Sequence, residues 1–223
     1  SPDETRQALN GLLLEVEGDN ASLVGTDGHR LAMISRPVKS NAEKGEVLSF
    51  LLPKKALSEL LKLMEDGETT FGFSSQDNHL AFICGKQVIV SRKIDGKFPN
   101  YRQVIPSDNQ LKAKAERNGL THALKRVALL ADEKSKMVRF EIQKGNLSLI
   151  SDNTDLGAAH EEMPIEYEGE EVSIGLNAKY VLDILNVIEG DSVTLNLKDQ
   201  NHSCLFTVGD DDQYKSLVMP MRL

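Results

Sequence analysis

A chain of 223 residues with 34 acidic against 26 basic side chains carries a formal net charge of −8 at pH 7. Apolar residues supply 40% and charged residues 27%, the balance of a soluble globular protein with one or two cores. No apolar run approaches the ~18 residues of a membrane span and no secretory signal is visible; an acidic chain also argues against a nucleic-acid partner unless its charges are segregated.

Taken in order, residues 12–17 and 21–25 read as strands joined by Gly18-Asp19-Asn20, a hairpin turn suited to φ > 0. The polar cluster Thr26-Asp27-Gly28-His29-Arg30-Leu31-Ala32 follows. Gly28 turns the chain there, Asp27 suits an Asx-turn, and Leu31 returns to an apolar surface. Strands are expected at 46–52, 69–73, 79–84 and 87–93, with a helix at 54–64 whose apolar stripe is Leu57, Leu60, Leu61 and Met64. The turn-rich stretch Asp95–Asn109 is the natural domain junction. Beyond it Lys112 to Arg126 reads as a second basic helical element, overlapping an amphipathic helix expected over 120–130. Strands at 138–143 and 147–151 flank Lys144-Gly145-Asn146, a second hairpin. Further strands are expected at 157–163, 171–176, 192–197, 203–208 and 214–219, with a helix at 177–188. Short hairpin connections imply antiparallel sheets with helices on one face, an α+β arrangement. Cys84 and Cys204 sit in strand-like runs and read as buried free thiols, the alternative being a disulfide. The terminal Leu217-Val218-Met219-Pro220-Met221-Arg222-Leu223 either pairs as a final strand or lines an adaptable groove.

The chain repeats itself. Leu57, Leu60, Leu61 and Met64 fall over Val181, Ile184, Leu185 and Ile188 at a shift of 124, and Asn20–Val24 falls over Asn146–Ile150 at a shift of 126. Such a period means duplicated domains. The helix at 120–130 has no counterpart in the first copy, so the repeat predicts that Ser1 begins inside a domain. Charge is segregated as well. Lys54, Lys55 and Lys62 against Glu59 give the first helix +2, and Lys112, Lys114, Arg117, Lys125 and Arg126 against Glu116 give the second basic element +4. These read either as solvated faces or as one surface attractive to phosphate.

No nucleophile elbow, P-loop, dinucleotide-binding glycine motif or helical histidine pair is present, and the five histidines are scattered. An Asp27–His29 hydrolase dyad lacks a nucleophile. The segments T-D-G-H-R-L-A at 26–32, D-G-K-F-P-N-Y-R at 95–102, L-N-A-K-Y-V-L-D-I-L at 176–185 and V-M-P-M-R-L at 218–223 together resemble the bacterial β sliding clamp family, the processivity subunit of DNA polymerase III. The resemblance implies the DNA-clamp fold: repeated β-α-β-β-β units, antiparallel sheets outside and helices lining the inner face. It places clamp domain II at 1–100, without its first strand and helix, and clamp domain III at 101–223.

Functionally it implies a processivity factor, not an enzyme: a cytoplasmic bacterial protein without cofactor or metal, which encircles duplex DNA as a head-to-tail homodimer. A hydrophobic pocket would tether polymerase subunits, clamp loader and repair proteins through short Q-L-x-L-F-like motifs. The positions matching that pocket are Leu9, Thr26, Gly28, His29, Arg30, Leu31, Pro99, Gln103, Val104, Ser135, Asn177, Tyr180, Leu217, Val218, Met219, Pro220, Met221 and Arg222. Leu31, Val104, Leu217 and Met219 would enclose apolar anchors, while His29, Arg30, Asn177 and the terminal main chain would hydrogen-bond the glutamine end. Burial of two large anchors, at roughly 1.5–3 kcal/mol each, gives a micromolar site after ordering costs. Arg6, Gln7, Lys54 and Lys55 would face DNA, and Leu129 and Leu130 are dimer-interface candidates, or simply the core stripe continuing. The fragment itself is expected to be monomeric. The alternative function is a peptide-binding module without clamp activity.

Overall fold

The computed structural model describes residues 5–43, 45–65, 70–106, 108–154, 157–209 and 211–223. They form two units: Ser1–Gly28 with Met33–Asn100, and His29–Ala32 with Tyr101–Leu223. No helix among the described residues is long and apolar enough to cross a membrane.

In the first unit, β1 (Gly11–Glu17) and β2 (Asn20–Thr26) pair antiparallel through the turn at Gly18, whose φ of 55° a side chain would resist. β3 (Arg30–Pro37) follows, and β4 (Val47–Pro53) pairs with the other edge of β1. Helix α1 (Lys54–Glu65) leads to a second antiparallel sheet, β5 (Gly72–Gln76), β6 (His79–Cys84) and β7 (Gln87–Arg92). The core gathers Leu14, Leu52, Ala56, Leu60, Leu80 and Phe82, with the Phe73 ring 5.4 Å from Phe82 and 5.1 Å from Phe50.

The second unit opens on β8 (Leu111–Glu116), α2 (Arg117–Val127) and a 3-10 turn, Ala128–Leu130. One antiparallel sheet has the order β11-β10-β9-β12, with β9 (Met137–Gln143), β10 (Asn146–Asn153), β11 (Gly157–Pro164) and β12 (Val172–Asn177). Helix α3 (Ala178–Val187) then precedes β13 (Ser192–Leu197), β14 (Cys204–Val208) and β15 (Asp211–Val218), which with β8 run in the order β15-β14-β13-β8. Leu120, Leu124 and Val127 of α2 and Val181, Ile184 and Leu185 of α3 are buried together with Val138, Phe140 and Ile142 of β9. The repeat is real in three dimensions: β1 shifted by 126 residues spans the same positions as β9, and α1 shifted by 124 starts where α3 starts. Cys84 and Cys204 are buried free thiols, and burial pushes the Cys204 thiol well up.

The structure corrects several expectations. Residues 112–116 are strand, not helix: Lys112, Lys114 and Glu116 alternate with buried Ala113 and Ala115, the period of two that a strand requires. Lys114 pairs with Glu166 at 3.1 Å, and Arg126 with Glu161. Arg117 Nη1 donates to the Leu185 and Ile188 carbonyls at 3.2 and 3.3 Å, so this cation serves the C-terminal end of α3. The second basic element is therefore engaged largely within the protein. In α1 the buried side is Ala56 and Leu60, with Leu57 and Met64 half-buried, whereas Leu61 is 62% exposed. The strand expected at 69–73 lies at Gly72–Gln76, and Thr69 is outside the described residues. β3, unassigned from sequence, begins at Arg30.

Candidate functional site

The second unit gathers three segments of the chain: His29–Ala32, the start of α3, and the chain beyond β15. The approach to the first is local. Thr26 Oγ1 accepts the Gly28 N–H at 3.1 Å, a hydroxyl-capped turn one residue earlier than the Asx-turn expected of Asp27. Gly28 has φ of 92°, a conformation that favours glycine. Leu31 is then buried at 3% exposure, and the His29 carbonyl accepts the Met219 N–H at 2.8 Å.

Arg30 lies against α3. Its guanidinium carbon is 4.4 Å from the Tyr180 ring centroid, and Nη1 donates to Asp183 Oδ2 at 2.5 Å. The helix end that carries Tyr180 is capped by Asn177, whose Oδ1 accepts the Tyr180 N–H at 3.2 Å. Asn177 Nδ2 donates to the Ser135 carbonyl at 2.9 Å, tying the Asp132–Lys136 loop to the cap. Asp132 Oδ1 in turn accepts the Ser135 N–H at 2.8 Å, which holds this carboxyl below the usual aspartate range. Asn177 thus caps the helix with both ends of its amide engaged.

Beyond β15 the chain is laid onto β12. Met221 N–H donates to the Gly175 carbonyl at 2.8 Å, and a Cβ on Gly175 would stand 2.9 Å from Met221 O and 3.1 Å from Leu223 Cδ2. Leu217 and Val218 are buried, Val218 within the core, while Met219 is 40% exposed, Pro220 and Met221 are half-buried and Arg222 is exposed. The terminus is both a strand and a surface segment. The N–H groups of Met219 and Met221 are thus both engaged within the protein. Gln103 ends a 3-10 turn, Tyr101–Gln103, and Val104 follows it, 45% exposed, its carbonyl accepting from Ser203 Oγ at 3.5 Å.

The remaining expected residues lie on other segments of the chain. Leu9 is buried in the first unit at the end of a 3-10 turn, Gln7–Leu9, and Pro99 is exposed in that unit. Arg6 Nη1 would be 3.3 Å from a Cβ on Gly28, placing this guanidinium beside the Thr26–Gly28 turn; Gln7 is exposed. Lys54 and Lys55 are exposed in the first turn of α1, which holds no acidic residue. Leu129 is 76% exposed and Leu130 half-buried, so the core stripe of α2 does not continue through Leu129. Sequence reasoning missed Asp183 and Gly175. The signal for Asp183 was its place three residues after Tyr180 on one helix face; Gly175 gave none.

A family model described as the DNA polymerase III beta subunit, central domain, matches residues 1–100, and the C-terminal domain model of the same subunit matches 102–222. The chain belongs to the DNA polymerase III beta subunit family. The beta sliding clamp of Pseudomonas putida is 34% identical over 220 residues, which are 99% of this chain and 59% of that protein. The beta sliding clamp of Escherichia coli K12 is 32% identical over the same length and share. A DNA polymerase sliding clamp from Pseudomonas aeruginosa superposes with a TM-score of 0.94 at 35% identity, covering all of this chain and 61% of that one. A second structure of the P. aeruginosa clamp, bound to griselimycin, has a TM-score of 0.94 at 34% identity and is covered to 60%. The chain thus spans about 59% of the length of its curated relatives. The α+β clamp fold expected from sequence is borne out.

Proposed function

We propose that this chain is the partner-binding portion of a replication processivity clamp, a non-catalytic bacterial protein of the cytoplasm. In the whole protein a head-to-tail homodimer would close around duplex DNA and tether polymerase subunits, clamp loader and repair proteins through short Q-L-x-L-F-like segments. The observation that carries this reading is the succession of central and C-terminal beta-subunit domains along the chain in family order. The geometry of the second unit supports it: buried Leu31 and Leu217, the exposed Met219 and the Arg30–Tyr180 stack lie where three chain segments meet. Domains II and III would divide near residue 100, as the matched ranges suggest.

Lys54 and Lys55 support a phosphate-facing role. Two cations at the positive end of α1 oppose the helix dipole, and a phosphate there would relieve them. Leu129, exposed beyond α2, is the better interface candidate of the Leu129–Leu130 pair.

The deciding experiment is fluorescence anisotropy of a labelled peptide ending in Q-L-S-L-F, titrated with the chain and with its Met219→Asp variant. Micromolar binding is expected, weakened at least about tenfold in the variant because a carboxylate would be desolvated against an apolar anchor. A folded chain that leaves the peptide free would reject the partner-site reading. Griselimycin, bound by relatives from P. aeruginosa and Bartonella birtlesii, is an independent competitor for the same titration.

A further inference from the structure

The chain between the Tyr101–Gln103 turn and β8 is fastened at three points to the hairpin β13–β14. The Val104 carbonyl accepts from Ser203 Oγ at 3.5 Å, Lys198 Nζ donates to Asp108 Oδ2 at 2.6 Å, and Asn109 Nδ2 donates to the Asn196 carbonyl at 2.7 Å. The Lys198 ammonium holds the Asp108 carboxyl below the usual aspartate range, so this pair is ionised at neutral pH. The three hairpin partners frame its connecting loop, and one carboxylate orders that loop. Asp199 Oδ1 accepts the N–H groups of Asn201 and His202 at 2.7 and 3.2 Å, and His202 Nδ1 lies 2.8 Å from it. The loop also borders the exposed methionine. Cys204 and Val218 are the last pair of the β14–β15 ladder at this end, and one residue beyond them lie Ser203 on one strand and Met219 on the other. Val104 and Met219, 45% and 40% exposed, are thereby brought to the same end of the ladder.

We propose that the β13–β14 loop, ordered by Asp199, is a positioning element of the partner site: it fixes the chain from Val104 to Asn109 and so sets where Val104 presents its side chain. The loop acts through the Val104 backbone and not by contact with the peptide. The inference rests on the peptide-binding reading of the same site. A main chain already held at three points loses less freedom when an apolar anchor docks, so the fastening raises affinity by pre-organisation. The partly buried Asn109 bond contributes most to it; the exposed Asp108–Lys198 pair contributes less and is sensitive to salt.

The test titrates labelled Q-L-S-L-F with the wild-type chain and with Asn109→Ala, Asp199→Ala and Asp199→Asn, each also in a Val104→Ala background, while NMR follows the Val104 methyl signals. Asn109→Ala and Asp199→Ala should each weaken binding about three- to tenfold and move those signals, and Asp199→Asn, which keeps an acceptor oxygen, should recover most of the affinity. Lys198→Asp should weaken binding about two- to threefold at about 50 mM salt, and adding Asp108→Lys should restore it. In the Val104→Ala background the Asn109 and Asp199 losses should vanish. Asp199, its side chain 44% exposed, carries the test if Asn109→Ala fails to fold. Equal losses with and without Val104, or unchanged affinity in the Asn109 and Asp199 variants, would overturn the inference while leaving peptide binding intact. Val104 methyl signals that the bound peptide leaves unmoved would overturn it as well. Failure of the wild-type chain to bind the peptide would overturn the peptide-binding reading itself, and this inference with it.

Discussion

Gly175 shows how one missing side chain shapes a site several residues away in space. Its hydrogen atom leaves room for Met221 and Leu223 to lie on β12, and the Met221 N–H reaches the Gly175 carbonyl at 2.8 Å. A methyl group there would meet backbone at 2.9 Å, and Met137 Sδ at 3.2 Å blocks an easy retreat. Gly175→Ala is therefore expected to cost about 1–3 kcal/mol by overpacking. The displaced terminus should also carry Met219 away from His29, so thermal melts and peptide titrations should both register the change. A variant with wild-type peptide affinity would mean that the terminus does not need this close approach. This glycine was not legible from sequence, because a glycine at close approach looks like any other, and the i,i+3 spacing of Asp183 from Tyr180 put it on the right helix face without pointing to Arg30. The T-D-G-H-R and M-P-M-R segments were legible, since unusual polar and apolar residues are concentrated in a few positions.

At the scale of elements, the internal repeat predicts helices and strands well and predicts burial less well. Leu61 and Leu185 occupy equivalent positions, yet Leu61 is 62% exposed and Leu185 only 1%. The cause is what stands beside each helix. α2 packs next to α3 in the second unit, and among the described residues of the first unit the only α-helix is α1. Leu185→Ala should destabilise the protein by about 2–5 kcal/mol in urea unfolding, through reduced burial and a cavity. Leu61→Ala should stay within about 0.5 kcal/mol, as exposed substitutions do. Similar costs for the two would show that the flank of Leu61 is covered in solution. The basic stretch at 112–126 teaches a related point. Summed charge joined a strand to a helix, whereas the alternation Lys112-Ala113-Lys114-Ala115-Glu116 already carried the period of a strand.

For the whole molecule, the acidic net charge of −8 conceals an uneven distribution, and the first turn of α1 keeps exposed lysines with no acidic residue in that turn. If these meet phosphates in the full-length clamp, Lys54→Glu with Lys55→Glu should weaken duplex binding equally across sequences. The dependence of log affinity on log salt should then become shallower by about 1 for each phosphate that is no longer neutralised. An unchanged salt slope would remove these lysines from the DNA-facing surface. Sequence by itself determined the duplication, the α+β class, the hairpins and the family, because periodicity, turn chemistry and ordered motifs are local or linear signals. Only the tertiary structure decided which equivalent leucine is buried, which cations are already paired, and that Asn177 caps a helix while Asp183 holds Arg30. Those outcomes depend on which segments meet in space, and residues 153 positions apart, such as Arg30 and Asp183, leave no periodic trace of their meeting.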